Sequence, residues 1–95
     1  MEVLHAHCAG LDVHKDSVVA CVRHMADSKV TTVVKTFKTT TQELMALSNW
    51  LSDQGATHIA MEATGVYWKP VWHILSDGGF ELVLANAAHV KNVPG

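Results

Sequence analysis

The sequence predicts an α/β fold in which five strands form one mixed sheet, with the element order βββαβαβ. Three segments rich in Val and Thr follow one another through short connections, which is typical of an antiparallel meander. Apolar side chains then recur at helical spacing in two later segments, and a short apolar segment follows each of them. Because a strand, a helix and a further strand of one sheet form a right-handed crossover, we expect the last two strands to run parallel to the first.

The first three predicted strands cover residues 6–13, 17–25 and 30–37. The second is rich in valine, whose branched side chain favours strands. Residues 26–29, Ala-Asp-Ser-Lys, predict the turn before the third strand. Since these connections are too short for a crossover, neighbouring strands in this part of the chain should be antiparallel.

A first helix is predicted over residues 41–54. Thr40, followed three residues later by Glu43, fits a capping box, and Gly55 comes where glycine often ends a helix. Its apolar stripe consists of Leu44, Leu47 and Leu51, with Trp50 beside it. We expect this stripe to cover the sheet.

The remaining elements are a strand over 57–62, a helix over 67–77 and a strand over 80–85. Pro70 falls in the first turn of the helix, where proline is tolerated, and two glycines end it. The apolar positions of this helix are Trp68, Val71, Trp72 and Leu75. The first strand should therefore lie in the centre of the sheet, with strands 2 and 3 on one side and strands 4 and 5 on the other.

Two carboxylates fall near the ends of strands that this topology makes neighbours. Asp12 lies near the carboxyl end of strand 1, and Glu62 lies at that of strand 4. In open α/β sheets, ligands bind just outside this edge. Adjacent carboxylates repel unless a cation lies between them, and Mg²⁺ prefers such oxygen ligands. Taken singly, however, an Asp after a strand is usually a turn residue, and a Glu there is usually solvated.

Length and composition limit the function classes. With 95 residues, a 48% hydrophobic content and no long apolar run, the sequence predicts one small domain without a membrane partner. The N-terminus lacks the pattern of a signal peptide, so we expect a cytoplasmic protein with its two cysteines as reduced core thiols. The net charge of -2 argues against a stand-alone nucleic-acid binder but not against a nuclease domain. The final Val-Pro-Gly is a turn signal, which suggests a fragment.

Two motifs resemble landmarks of one family. Segment 10–15, Gly-Leu-Asp-Val-His-Lys, and segment 61–68, Met-Glu-Ala-Thr-Gly-Val-Tyr-Trp, closely resemble the DEDD-type transposases of bacterial insertion sequences, in the group numbered one-hundred-and-ten. The second motif is the more specific, because many RNase H-like and actin-like proteins carry Gly-x-Asp. The resemblance covers essentially the whole chain and implies an RNase H-like (RuvC-like) fold, which we expect to be incomplete at the C-terminus.

The resemblance implies a site and a function. Asp12 and Glu62 match the first two acidic residues, which are catalytic and bind Mg²⁺ or Mn²⁺. The family's third and fourth acids lie on a later helix, and a catalytic serine lies in a further domain. Residues 1–95 would thus be the N-terminal part of the catalytic domain of a DNA transposase that cleaves and transfers strands, inactive when isolated. DNA, a structured guide RNA and further copies of the chain are the implied partners.

Seven residues near the predicted edge are candidates for nucleic-acid binding. Those after Asp12 could touch phosphate, a glycine before a helix lets phosphate approach free N–H groups, and a tyrosine could stack on a base or sugar. Ordinary turns, or an unstructured end for the last two, are the alternatives. The candidates are His14, Lys15, Thr64, Gly65, Tyr67, Asn86 and Lys91.

Three other interpretations compete with this one, and the residues present argue against the first two. An actin-like ATPase shares the βββαβαβ start, but needs glycine and a hydroxyl residue where residues 14–16 are His-Lys-Asp. A proofreading-type exonuclease needs Asp-x-Glu on the first strand, where this chain has Asp12-Val13-His14. A non-catalytic dimerisation or scaffold module would keep the fold for assembly, with an exposed apolar surface that favours self-association.

Overall fold

Five strands and two helices form the fold in the computed structural model, which describes residues 7–26, 28–63 and 65–86. The strands are β1 (His7–Val13), β2 (Ser17–Ala26), β3 (Lys29–Lys38), β4 (His58–Ala63) and β5 (Glu81–Asn86). The helices are α1 (Thr41–Asp53) and α2 (Trp68–Leu75), and a 3₁₀ turn, Ser76–Gly78, continues the second. The predicted element order is confirmed.

The sheet has the order β3-β2-β1-β4-β5. The pairs β1–β2 and β2–β3 are antiparallel, whereas β1–β4 and β4–β5 are parallel. Strand β1 is therefore central, as predicted, and β3 runs parallel to it two strands away. The carboxyl ends of β1, β3, β4 and β5 consequently lie at one edge, which we call the carboxyl edge.

Strict alternation gives the sheet two different faces. In β1, Ala9, Leu11 and Val13 are buried in one cluster with the apolar stripes of both helices. The opposite face, here called the open face, is not covered by α1 or α2. It carries Cys8, Gly10 and Asp12 of β1, Ser17, Val19, Cys21, Arg23 and Met25 of β2, Val30, Thr32, Val34, Thr36 and Lys38 of β3, His58, Ala60 and Glu62 of β4, and Glu81, Val83 and Ala85 of β5. Successive side chains of each strand point to opposite faces, so the apolar residues gather on one face and the helices cover that face alone.

Helix α1 begins with half of the predicted capping box. The Thr40 hydroxyl accepts a hydrogen bond from the backbone N–H of Glu43 at 3.2 Å. The Glu43 carboxylate accepts from the backbone N–H of Lys38 at 3.2 Å, so it ties the helix to the end of β3. Gly55 ends the segment in the left-handed region, with a φ of 79°. In a full capping box the Glu43 carboxylate would accept a hydrogen bond from the N–H of Thr40. Here it accepts one from the strand before the helix instead.

Thr40→Ala should lower the free energy of unfolding by about 0.5 to 2 kcal/mol, because it leaves the Glu43 N–H without its cap. Urea denaturation followed by circular dichroism measures the change. Thr41→Ala is the matched control, since the Thr41 side chain makes no hydrogen bond within the described residues. Equal stability of the two variants would show that the cap contributes nothing.

The second helix is shorter than the prediction of 67–77. Regular α-helix ends at Leu75, and the next three residues tighten into a 3₁₀ turn before Gly79, whose φ is 79°. Trp68 and Trp72 are half-buried and pack edge to face, with ring centroids 5.9 Å apart. None of the helices in the described ranges has the length and apolar character that a membrane span requires.

Candidate functional site

Asp12 and Glu62 are direct neighbours across the β1–β4 pair. Each is the penultimate residue of its strand, and adjacent strands lie about 4.8 Å apart. Both residues are exposed on the open face. The structure therefore brings the two predicted carboxylates together at the carboxyl edge.

The sequence around each carboxylate fixes its direction. Leu11 and Val13 flank Asp12, and Met61 and Ala63 flank Glu62; all four flanking side chains are buried beneath the helices. Since successive side chains of a strand point to opposite faces, burial of the neighbours forces both carboxylates onto the open face. Rotating either strand would expose its apolar residues and bury a charge.

The imidazole of His14 is the immediate partner of Asp12. Its Nε2 lies 3.1 Å from Oδ2 of Asp12, and both side chains are more than half exposed. Such an exposed pair contributes little to stability. The backbone N–H of His14 donates to the carbonyl of Ser17 at 2.8 Å, which closes the short turn between β1 and β2. His14 thus lies at the carboxyl edge, and its contact with Asp12 is weak enough to be exchanged.

Lys15 lies in the same turn, which is attached to the end of β3. The Lys15 carbonyl accepts a hydrogen bond from the Thr39 hydroxyl at 3.1 Å, and the Asp16 carbonyl accepts from the Thr39 N–H at 3.3 Å. These bonds bring the end of β3, with Lys38, beside the Lys15 turn. Sequence reasoning did not select Lys38. The antiparallel meander could have identified it. In a meander the third strand runs parallel to the first, so the two strands end at the same edge of the sheet.

Some of the other candidate residues lie at the carboxyl edge, and the rest lie outside the residues that the structure describes. Gly65 has a φ of 63° and begins the turn that leads into α2. Tyr67, directly before α2, is 41% exposed. Asn86 is the last residue of β5 and pairs with Ala63, so its backbone lies at the carboxyl edge. Its side chain, Thr64 and Lys91 lie outside the described residues.

An open depression of about 410 Å³ lies on the open face beside the carboxylates. Small residues, Gly10 and Ala60, keep its floor close to the backbone, so an elongated ligand can approach the sheet there. Cys21 also lines it. Both cysteines are free and half-buried, as reduced thiols, but on the open face; placing them in the core was wrong because they alternate with the residues that the helices cover.

The donor set fits a hard divalent cation in part. Asp12 and Glu62 offer adjacent carboxylate oxygens, and Mg²⁺ typically takes one or two carboxylates while keeping water and phosphate ligands. Among the residues with described placement, no three His, Cys, Asp or Glu side chains converge closely enough to enclose a metal. Two carboxylates alone would leave most coordination positions of such a cation to other ligands.

The fold is similar to those of several solved structures. A Fowlpox virus resolvase, solved with Holliday junction DNA, has a TM-score of 0.57 and 7% identity over 93% of this chain and 62% of its own. An exopolyphosphatase from Cytophaga hutchinsonii has a TM-score of 0.59 and 9% identity over 85% and 34%. A Ppx/GppA family member from Aquifex aeolicus has a TM-score of 0.56 and 10% identity over 84% and 35%. These similarities establish the fold, which is RNase H-like.

The chain spans about a third of the length of the two phosphatase-family structures. No curated protein matches the sequence significantly. A sequence profile of a transposase family, the DEDD transposases of IS110-type insertion sequences, matches residues 9–95. Nearly the whole chain, including both motifs and both carboxylates, falls within this match. The chain therefore belongs to the IS110-type DEDD transposase family.

Proposed function

We propose that this chain supplies the first two carboxylates of a metal-dependent site that cleaves and transfers DNA strands during transposition. One observation carries the proposal: Asp12 and Glu62 are register partners on adjacent parallel strands, exposed at the carboxyl edge. A single turn carboxylate has no such partner. The membership in a transposase family supports DNA as the substrate.

The roles of the chain's residues follow from their positions. Bound Mg²⁺ or Mn²⁺ would stabilise charge on the scissile phosphate and activate a nucleophile. Asp12 and Glu62 would hold and orient that cation at the carboxyl edge. The open depression would admit the DNA backbone, with Lys15 and the exposed turn at Gly65 beside its phosphates. His14 would exchange its contact with Asp12 for one with phosphate.

The proposal extends to the larger assembly. Residues 1–95 act as the N-terminal part of a RuvC-like catalytic domain, and the third and fourth acids come from outside this chain. With half of the acidic set, the isolated chain should bind metal weakly and cleave nothing. A structured guide RNA, a homo-oligomer and a cytoplasmic location remain predictions from the sequence.

Manganese binding tests the metal site directly. Paramagnetic Mn²⁺ should broaden the amide resonances of Asp12 and Glu62, as well as those of their strand neighbours, in a two-dimensional NMR spectrum. The double variant Asp12→Asn/Glu62→Gln should lose this broadening, because it removes both anionic ligands. Asp16→Asn/Asp53→Asn is the matched control with the same change of charge. Broadening that persists in the first variant, or that centres elsewhere, contradicts the proposed site.

A non-catalytic assembly module is the second candidate, and the open face favours it. Four of the exposed large apolar side chains lie there, namely Met25, Val30, Val34 and Val83. Sedimentation velocity distinguishes this function. A stable dimer that forms equally in wild type and in Asp12→Asn/Glu62→Gln, together with absent Mn²⁺ broadening, would favour assembly over catalysis.

A further inference from the structure

Cationic side chains are concentrated in one part of this acidic chain. Residues 15–38 contain five of the seven Lys and Arg residues but only two of the nine Asp and Glu residues. That segment covers the β1–β2 turn, β2 and β3. The rest of the chain is correspondingly acidic, so the net charge of -2 conceals a locally basic segment, residues 15–38, which we call the basic margin.

The basic margin coincides with an edge of the sheet. Strand β3 is the outermost strand beside β2, and of its ten residues only Phe37 is fully buried. Its lysines are Lys29, Lys35 and Lys38, all exposed. Within residues 7–26, 28–63 and 65–86, none of the three ammonium groups forms an ion pair. Lys38 lies on the open face, whereas Lys29 and Lys35 lie on the opposite face with Phe37. The three charges therefore flank the unpaired side of β3 from both faces, and their long side chains can reach a ligand that lies along that side.

Strand β3 ends near the two carboxylates, at the carboxyl edge. Thr36 pairs with Val19, which in turn pairs with Asp12, so one row of the open face joins the end of β3 to the candidate metal site. Two strand spacings amount to about 10 Å. Lys38 lies two residues beyond Thr36, in the next row of the open face, beside the turn that carries Lys15. The lysines begin about 30 Å from this point, at Lys29, and end at the carboxyl edge.

The other side chains of β3 suit a phosphate backbone. Exposed hydroxyl groups of Thr31, Thr32 and Thr36 lie between the lysines along the strand and can donate hydrogen bonds to phosphate. The Lys35 ammonium lies 5.3 Å from the centre of the Phe37 ring, a contact that restrains it without neutralising it. Phe37 is only 3% exposed, so β3 offers no ring on which an unpaired base could stack. Duplex backbone is therefore favoured over single strands.

We propose that the β3 edge, through Lys29, Lys35 and Lys38, binds the phosphate backbone of duplex DNA and guides it to the Asp12–Glu62 edge. This inference rests on the proposed function for the identity of the nucleic acid. Lysines on an edge strand also prevent pairing with other strands. The proposed contact therefore uses side chains that already protect this edge.

Salt-dependent binding to a duplex DNA of arbitrary sequence, measured in EDTA, tests the edge without any metal chemistry. Each phosphate contact contributes about 0.9 to the slope of log affinity against log salt, so Lys29→Gln/Lys35→Gln/Lys38→Gln should lower the slope by about 2.7. Wild-type affinity should thus fall about forty-fold more than that of the triple variant between about 50 and about 200 mM salt. Lys69→Gln, an exposed lysine on α2, is the control and should leave the slope unchanged.

Several results would overturn the proposal. These are an unchanged slope in the triple variant, a change equal to that in Lys69→Gln, or a slope change seen with an RNA duplex but not with DNA. A changed oligomeric state with an unchanged slope would instead assign the edge to contacts between copies. Single Lys→Gln variants, each expected to lower the slope by about 0.9, test the same edge with less disturbance of the fold. Failure here leaves Mn²⁺ broadening at Asp12 intact, whereas failure of the proposed function abolishes that broadening but not the slope.

Discussion

Asp12→Asn should lower the rate of DNA cleavage by about 1000-fold, in a protein that carries this chain together with the later acidic residues of its family. A bound metal contributes several kcal/mol to stabilising the transition state, and about 4 kcal/mol corresponds to that factor. Asparagine keeps the shape of the side chain but removes the anionic oxygen. Since Asp12 is exposed, the substitution should leave the fold intact. The readout is the single-turnover cleavage rate in Mg²⁺ and in Mn²⁺.

Asp16→Asn is a stringent control for this result. Asp16 lies in the adjacent turn, carries the same charge and is also exposed, but it contributes only a backbone carbonyl to the described contacts. It should cleave at the wild-type rate. Glu62→Gln should resemble Asp12→Asn, and the double variant should be little worse than either, because the two ligands act as a unit. Wild-type cleavage by Asp12→Asn would exclude Asp12 as a metal ligand.

The sequence was sufficient to predict this pair because local rules determine it. The alternation of Leu11, Asp12 and Val13 sets which face the carboxylate takes, and the crossover rule sets which strand lies next to it. Neither rule needs a tertiary contact. The observed β1–β4 register agrees with this expectation, because Glu62 lies directly opposite Asp12.

Other features depend on contacts that no local pattern specifies. The Glu43 carboxylate reaches Lys38 rather than Thr40 because the preceding chain folds back over the helix start. The His14–Asp12 contact depends on the conformation of a three-residue turn. Lys38 was missed because the predicted strand ended one residue earlier, and the basic margin was hidden by a net charge averaged over the whole chain.

Leu47→Ala should destabilise the fold more than any exposed substitution considered above. Leu47 is fully buried between α1 and the sheet, and removing its side chain costs about 2 to 5 kcal/mol through lost burial and a residual cavity. In a domain of this size, that corresponds to a fall in the thermal midpoint of about 10 to 30 °C. Met45→Ala is the control on the same helix, because Met45 is 56% exposed and should change the midpoint by only a few degrees.

The Leu47→Ala variant also tests whether packing in the core affects the arrangement of the two carboxylates. Leu47 belongs to the buried cluster that also contains Met61 and Ala63 of β4, on the face of the sheet opposite the carboxylates. Below its lowered midpoint, Leu47→Ala should therefore show the wild-type pattern of Mn²⁺ broadening. Above the midpoint, the broadening of Asp12 and Glu62 should be lost together, because only the folded sheet holds them side by side. Loss of broadening in a variant that is still folded would instead mean that packing under α1 sets the geometry of the metal ligands.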